Sequence, residues 1–134
     1  MERRKFIAAS LLAVSTTGIM SCSKSSQENE EYGPIIHSVY FWLKEDITDK
    51  EKIDFINFFE ALRGIEAIQT LRFGQPAPAN PRPVVDNSFS YNLIVTFSNM
   101  ENLNIYENHP DHLAAIEKYQ QYWTKVEVRD TTLI

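Results

Sequence analysis

The sequence predicts one α+β domain, an antiparallel sheet with helices on one face. Three observations carry this. Residues 35–43 and 89–97 are rich in β-branched and aromatic side chains, as strands are. Apolar residues at helical spacing follow each of those runs. A chain of 134 residues has room for one domain of this size and little more.

The domain begins near Pro34. The first strand, IIHSVYFWL, places Ile35, His37, Val39, Phe41 and Leu43 on one face and Ile36, Ser38, Tyr40 and Trp42 on the other. Both faces are largely apolar, so both are expected to be covered: one by helices, the other by a second copy of the chain. Thr48 reads as an N-cap with Glu51 completing a capping box. Ile53, Phe55, Ile56, Phe58, Phe59 and Leu62 then give a helix a broad apolar face that ends near Gly64.

Residues 67–73 read as a second strand. Residues 74–87 carry four of the six prolines and form a loop long enough to act as a flap. In the third strand, Phe89, Tyr91, Leu93, Val95 and Phe97 alternate with polar or smaller neighbours. A short helix starts at Ser98-Asn99, breaks at Tyr106–His112, and resumes from Pro110 to about Tyr122. The last strand, 125–132, turns Val126 and Val128 inward and Lys125, Glu127 and Arg129 outward. The order β-α-β-β-α-β is the ferredoxin-like arrangement.

Residues 1–33 stand apart. A basic start (Arg3, Arg4, Lys5), an apolar run at 6–14 and small residues up to Ser21 have the layout of a secretory signal. The apolar stretch falls short of the roughly 20 residues of a membrane span. Ile19-Met20-Ser21-Cys22 resembles a bacterial lipobox, which implies cleavage after residue 21 and lipidation of Cys22. Arg3-Arg4 also resembles a twin-arginine signal, and the acidic run that follows Cys22 resembles a surface-export signal. Residues 1–21 are thus expected as signal peptide, 22–33 as lipidated cysteine and flexible tether, and 34–134 as the domain. The expected address is an exported, membrane-anchored lipoprotein, periplasmic or on the cell surface.

A single cysteine excludes an internal disulfide. Loss of residues 1–21 takes the formal charge from −5 to −7, because Glu2, Arg3, Arg4 and Lys5 leave with them. That balance argues against nucleic acid and against a basic membrane-facing patch, which leaves the lipid as the only contact with a membrane.

Tyr106-Glu107-Asn108-His109-Pro110-Asp111-His112 holds two of the three histidines. Pro110 suits the first helical position, which makes His109 the N-cap and His112 the third helical residue. His112, Ile116, Tyr119 and Trp123 then share one stripe and aim His112 at the sheet. A neutral imidazole there and the Tyr106 phenol form a workable acid–base pair, with His37 placed to orient either. The plainer alternative is that His37 and His112 are satisfied core histidines and Tyr106 a packing residue. Three metal ligands from the first turn of one helix do not converge well, so no metal site and no cofactor are expected.

Ile36-His37-Ser38-Val39, the strand 91–97, the Tyr106–His112 stretch and Tyr122-Trp123-Thr124-Lys125-Val126 together resemble the Dabb family of stress-responsive α/β-barrel domains, over about 35–132. The resemblance implies a dimer formed sheet against sheet as an α+β barrel. Most members of that family have no assigned activity, but a plant polyketide cyclase of the same fold closes a ring by an aldol-type step with the tyrosine and histidine that match Tyr106 and His112, while the histidine matching His37 lines the same pocket. The chain departs where that enzyme carries another pocket histidine, for here Tyr91 stands instead. The favoured expectation is a module that binds a small apolar or aromatic ligand, with Tyr91, Phe55, Ile56, Phe59, Leu93 and Val95 lining the cleft. The alternative is a cofactor-free lyase or cyclase using His112, Tyr106 and His37.

Overall fold

Residues 32–134 are described by the computed structural model of this chain. The expected signal peptide, Cys22 and nearly all of the tether lie outside the described residues. Among the described residues, no helix is long and apolar enough to cross a membrane.

The elements in order are β1 (Ile35–Leu43), α1 (Asp49–Leu62), β2 (Thr70–Gly74), β3 (Tyr91–Phe97), α2 (Met100–Glu107), α3 (Pro110–Tyr119), a 3-10 turn (Gln120–Tyr122) and β4 (Trp123–Thr132). The four strands form one antiparallel sheet in the order β2-β3-β1-β4. This is the ferredoxin-like arrangement the pattern predicts, with β1 in the interior of the sheet and β4 at an edge.

Local chemistry sets the helix starts. Thr48 caps α1, and its capping box with Glu51 is complete in both directions. Asn99 caps α2 by accepting from the Asn102 amide. His109 caps α3, its Nδ1 accepting from the Asp111 amide, with Pro110 first in the helix.

The core lies between one sheet face and the helices. Phe55, Phe58, Phe59 and Leu62 of α1 pack on Phe41, Leu93 and Tyr91, and their rings meet mostly edge to face or tilted. Ile53 does not share that face: it is exposed, because Phe55, Phe58, Phe59 and Leu62 already complete the stripe that meets the sheet. At the domain's start, Gly33 lies so close to the Phe97 carbonyl that an added Cβ would sit 2.1 Å from its oxygen, so only glycine fits there.

Several boundaries differ from expectation. The second strand begins at Thr70, since residues 65–68 close a turn through the Ile68 amide and the Ile65 carbonyl. The third begins at Tyr91, so Phe89 leaves the core face and packs edge-on against Tyr40 on the opposite side. α3 stops at Tyr119, and Trp123 already opens β4. The proline-rich loop ends against the far face of the sheet, where Ser88 Oγ accepts from Trp42 Nε1 at 2.9 Å. Its start touches the core side, where Gln75 Nε2 donates to the Tyr91 hydroxyl at 3.3 Å, so the segment reaches both faces of the sheet. Val126 and Val128 face the helix side as predicted, each opposite a core residue of β1 (Phe41 and Val39), yet both are exposed because no helix reaches over this edge strand.

Candidate functional site

The gap over β4 opens into a cavity of about 500 Å³ between the sheet and the α2–α3 break. Its walls are mostly apolar: Val39 and Phe41 from β1, Phe58 from α1, Ile116 from α3, and Trp123, Val126 and Val128 from β4. One end is polar. His37, Tyr106, Glu107 and His112 meet there.

Three elements supply these polar side chains: β1, α2 and α3. His37 stands at mid-strand on the helix side of β1 and is only 5% exposed. Directly opposite it on β4 is Asp130, whose Oδ1 accepts from His37 Nδ1 at 2.6 Å. A carboxylate can only accept, so Nδ1 carries the proton of this bond. The last turn of α2 supplies Tyr106, 1% exposed, with its ring edge-on to His37 at 5.7 Å and against Phe97 at 5.2 Å. Its hydroxyl has no hydrogen-bond partner among the described residues, and no polar side-chain atom there is both fully enclosed and unpaired. The hydroxyl therefore opens to the cavity.

His112, half-buried at the third position of α3, lies against the Tyr106 ring with centroids 4.3 Å apart. Its Nδ1 donates to the Glu107 carbonyl at 3.1 Å, which leaves Nε2 as a bare acceptor. Burial lowers the His112 pKa from its ordinary 6.5, against a smaller opposing pull from the Glu107 carbonyl. Burial, aided by the nearby Glu107 charge, raises the Tyr106 pKa well above its ordinary value and keeps the phenol a donor.

Three residues expected to act together thus do come together: His37, Tyr106 and His112 border one cavity. Of the expected apolar lining, only Leu93 borders it. Phe55, Phe59 and Val95 are wholly buried core, and Ile56 packs half-buried against that core. Tyr91 is buried too, its hydroxyl accepting from Gln75 Nε2 at 3.3 Å on another side of the domain. The alternation that marks these residues as inward-facing cannot separate core from cavity wall, because both are apolar. His109 and Asp111 serve the helix end, as expected. Sequence reasoning missed Asp130, which the β1–β4 register alone brings to His37, and the wall built by Phe58, Val126 and Val128.

The fold and site define a class: a ferredoxin-like α+β domain with an apolar cavity closed at one end by a tyrosine and two histidines. The chain belongs to the Dabb family, the stress responsive A/B barrel domain, which matches residues 35–133. No curated protein matches it. Among solved structures, a dimeric protein of unknown function and ferredoxin-like fold from Bacteroides fragilis is 24% identical, covering 77% of this chain and 100% of that one, with a TM-score of 0.59. A Dabb family protein with a ferredoxin-like fold from Mesorhizobium loti is 20% identical, covering 75% and 96%, with a TM-score of 0.61. A hydroxynitrile lyase from Passiflora edulis is 16% identical, covering 78% and 96%, with a TM-score of 0.65. At these identities the likeness is one of fold.

Proposed function

We propose that this domain is a binding module for a small, largely apolar or aromatic molecule whose polar group meets Tyr106, His112 and His37. The observation that carries this reading is the Tyr106 hydroxyl, whose ring is buried while its oxygen has no protein partner among the described residues and opens to a cavity of about 500 Å³. A hydroxyl that no protein group pairs and that opens to the cavity is free to donate to a ligand oxygen there. The volume suits a molecule of one or two rings, and the Trp123 indole in the wall offers a reporter.

The test is a fluorescence titration with 1-naphthol, an apolar bicycle bearing one hydroxyl. The wild-type chain binds it saturably. Ile116→Trp, which fills the cavity from α3, abolishes binding, and Tyr106→Phe weakens it by about tenfold, the value of one lost hydrogen bond. Binding that survives Ile116→Trp unchanged refutes the reading.

A second reading, a cofactor-free lyase or cyclase, is favoured by one specific feature: a phenol donor and an imidazole lone pair side by side at the same cavity end. In it Tyr106 donates to a ligand carbonyl oxygen while His112 Nε2 takes an α-proton, and the negative charge that develops on the oxygen rests on the phenol hydrogen bond. Exchange of the methyl protons of 1-acetonaphthone into D2O, followed by NMR, reads that step directly. Acceleration that vanishes in both His112→Asn and Tyr106→Phe supports it, and a rate equal to buffer excludes it.

Two further parts of the reading rest on the sequence and on relatives. The chain forms a homodimer through the sheet face opposite the helices, where Tyr40, Trp42 and Ile94 stay partly exposed. The relatives from Bacteroides fragilis and Thermobifida fusca are described as dimeric. Cys22 carries a lipid that holds the exported domain at a membrane; Cys22→Ser should release it into the soluble fraction. A stress-associated role is supported by the family's description alone.

A further inference from the structure

The polar end of the cavity holds more acceptors than the proposed ligand can use. Both histidines spend an Nδ1 proton within the protein, His37 on Asp130 and His112 on the Glu107 carbonyl. The carboxylates of Glu107 and Asp130 stand beside them, and among the described residues no Lys or Arg pairs with either. The Tyr106 hydroxyl opens to the same cavity end and has no protein partner among the described residues. Two carboxylates gathered with imidazole nitrogens form a donor set that suits a cation.

His37, Glu107 and Asp130 are brought together from β1, α2 and β4, and one ligand-type atom from each lies within 4.8 Å of the other two. We propose that these three side chains bind a single divalent transition-metal ion of the zinc, cobalt or manganese class. One imidazole nitrogen with two carboxylates suits those ions better than magnesium or calcium, which favour all-oxygen sets. Three protein ligands with further positions turned to a cavity is also the pattern of an open rather than a structural site.

The geometry needs a small adjustment that the chain can make. Ligand atoms about 2.1 Å from one ion in a tetrahedral set stand roughly 3.4 Å apart, wider than the 2.6 Å now between His37 Nδ1 and Asp130 Oδ1. The ion would take the place of the proton these two atoms share, His37 keeping its ring proton on Nε2 instead. His37 is buried and held between Phe97 and Tyr106, so it acts as the fixed ligand. Asp130, 44% exposed on an edge strand, and Glu107 at the exposed end of α2 have room to rotate toward an ion. His37 and Glu107 also border the cavity onto which Tyr106 opens, so an ion they held would lie beside a bound small molecule. The site itself does not depend on that molecule.

The experiment uses the full chain, stripped with a chelator and titrated with zinc chloride by calorimetry and with cobalt(II) by visible absorption. One ion per chain is expected at micromolar affinity, with a cobalt band in the visible range. Asp130→Asn and Glu107→Gln, both at exposed positions that should not disturb folding, each weaken binding by about tenfold or more, and the double variant abolishes it. No saturable binding of either ion overturns the proposal. Binding that persists in the double variant, or that is lost instead in His109→Ala, assigns the ion elsewhere and overturns it equally. The 1-naphthol titration on the same metal-free protein keeps the two readings separate, because it requires the cavity and not the ion.

Discussion

Replacing Tyr106 by Phe removes one oxygen from a side chain that is 1% exposed, and leaves its ring contacts with His37, Phe97 and His112 in place. A buried tyrosine whose hydroxyl is bonded within the protein loses about 1 kcal/mol on this change. Here the hydroxyl has no protein partner, so nothing is lost and part of the desolvation cost of about 1–3 kcal/mol is recovered. Because the hydroxyl touches a cavity that admits water, the recovery is the smaller part. The expected change lies between zero and a gain of about 1 kcal/mol, or an unfolding temperature raised by up to roughly 4–8 °C for a domain of this size. Urea unfolding followed by circular dichroism, at one chain concentration for both proteins, measures it. The same substitution weakens 1-naphthol, so stability and binding move in opposite directions. A loss of more than about 1 kcal/mol refutes the reasoning, for it would mean that the hydroxyl is bonded inside the fold.

Three other outcomes follow from the packing and the electrostatics. Phe59→Ala, at a wholly buried ring that meets Phe41, Phe55, Phe58, Phe73 and Tyr91, costs about 3–5 kcal/mol and is read as a lowered urea midpoint. The Tyr122 hydroxyl donates to Asp54 Oδ2 at 2.7 Å, and this bond, more than any other contact, holds the Asp54 carboxyl below its ordinary 3.8. A depressed carboxyl stabilises the fold above the ordinary value and loses that contribution as pH falls through the folded one. Tyr122→Phe therefore lowers stability at neutral pH, and its deficit against wild type narrows below about pH 3.8; a deficit constant from pH 7 to pH 2 would contradict the assignment. Ile94→Asp places a charge on the exposed sheet face without touching the core, and sedimentation should show dimer converting to monomer while the circular dichroism spectrum is kept.

The order of elements was legible because each signal is local. Thr48 with Glu51, Asn99, and His109 with Pro110 mark three helix starts whose capping bonds form within a few residues. Strand alternation placed His37, Val39 and Phe41 on the buried face, and Pro110 divided the histidine stretch correctly. What stayed hidden depends on sheet order. Only the β1–β4 pairing brings Asp130, 93 residues away, to His37. Only the edge position of β4 leaves Val126 and Val128 as a cavity wall instead of core. Phe55, Phe59 and Val95 carry the same apolar signature as that wall, and tertiary packing decides between them. Phe89 shows the limit of alternation itself: the pattern continues through Ser90, but the strand does not, and the ring turns to the other face.

The most direct test of the central claim is to locate a bound probe by NMR. With 1-naphthol added to the wild-type chain, intermolecular NOEs should join its ring protons to the methyl groups of Leu93, Ile116, Val126 and Val128, with the hydroxyl end nearest Tyr106. NOEs to Tyr40 and Phe89 on the opposite face, or none under saturating probe, would contradict the account.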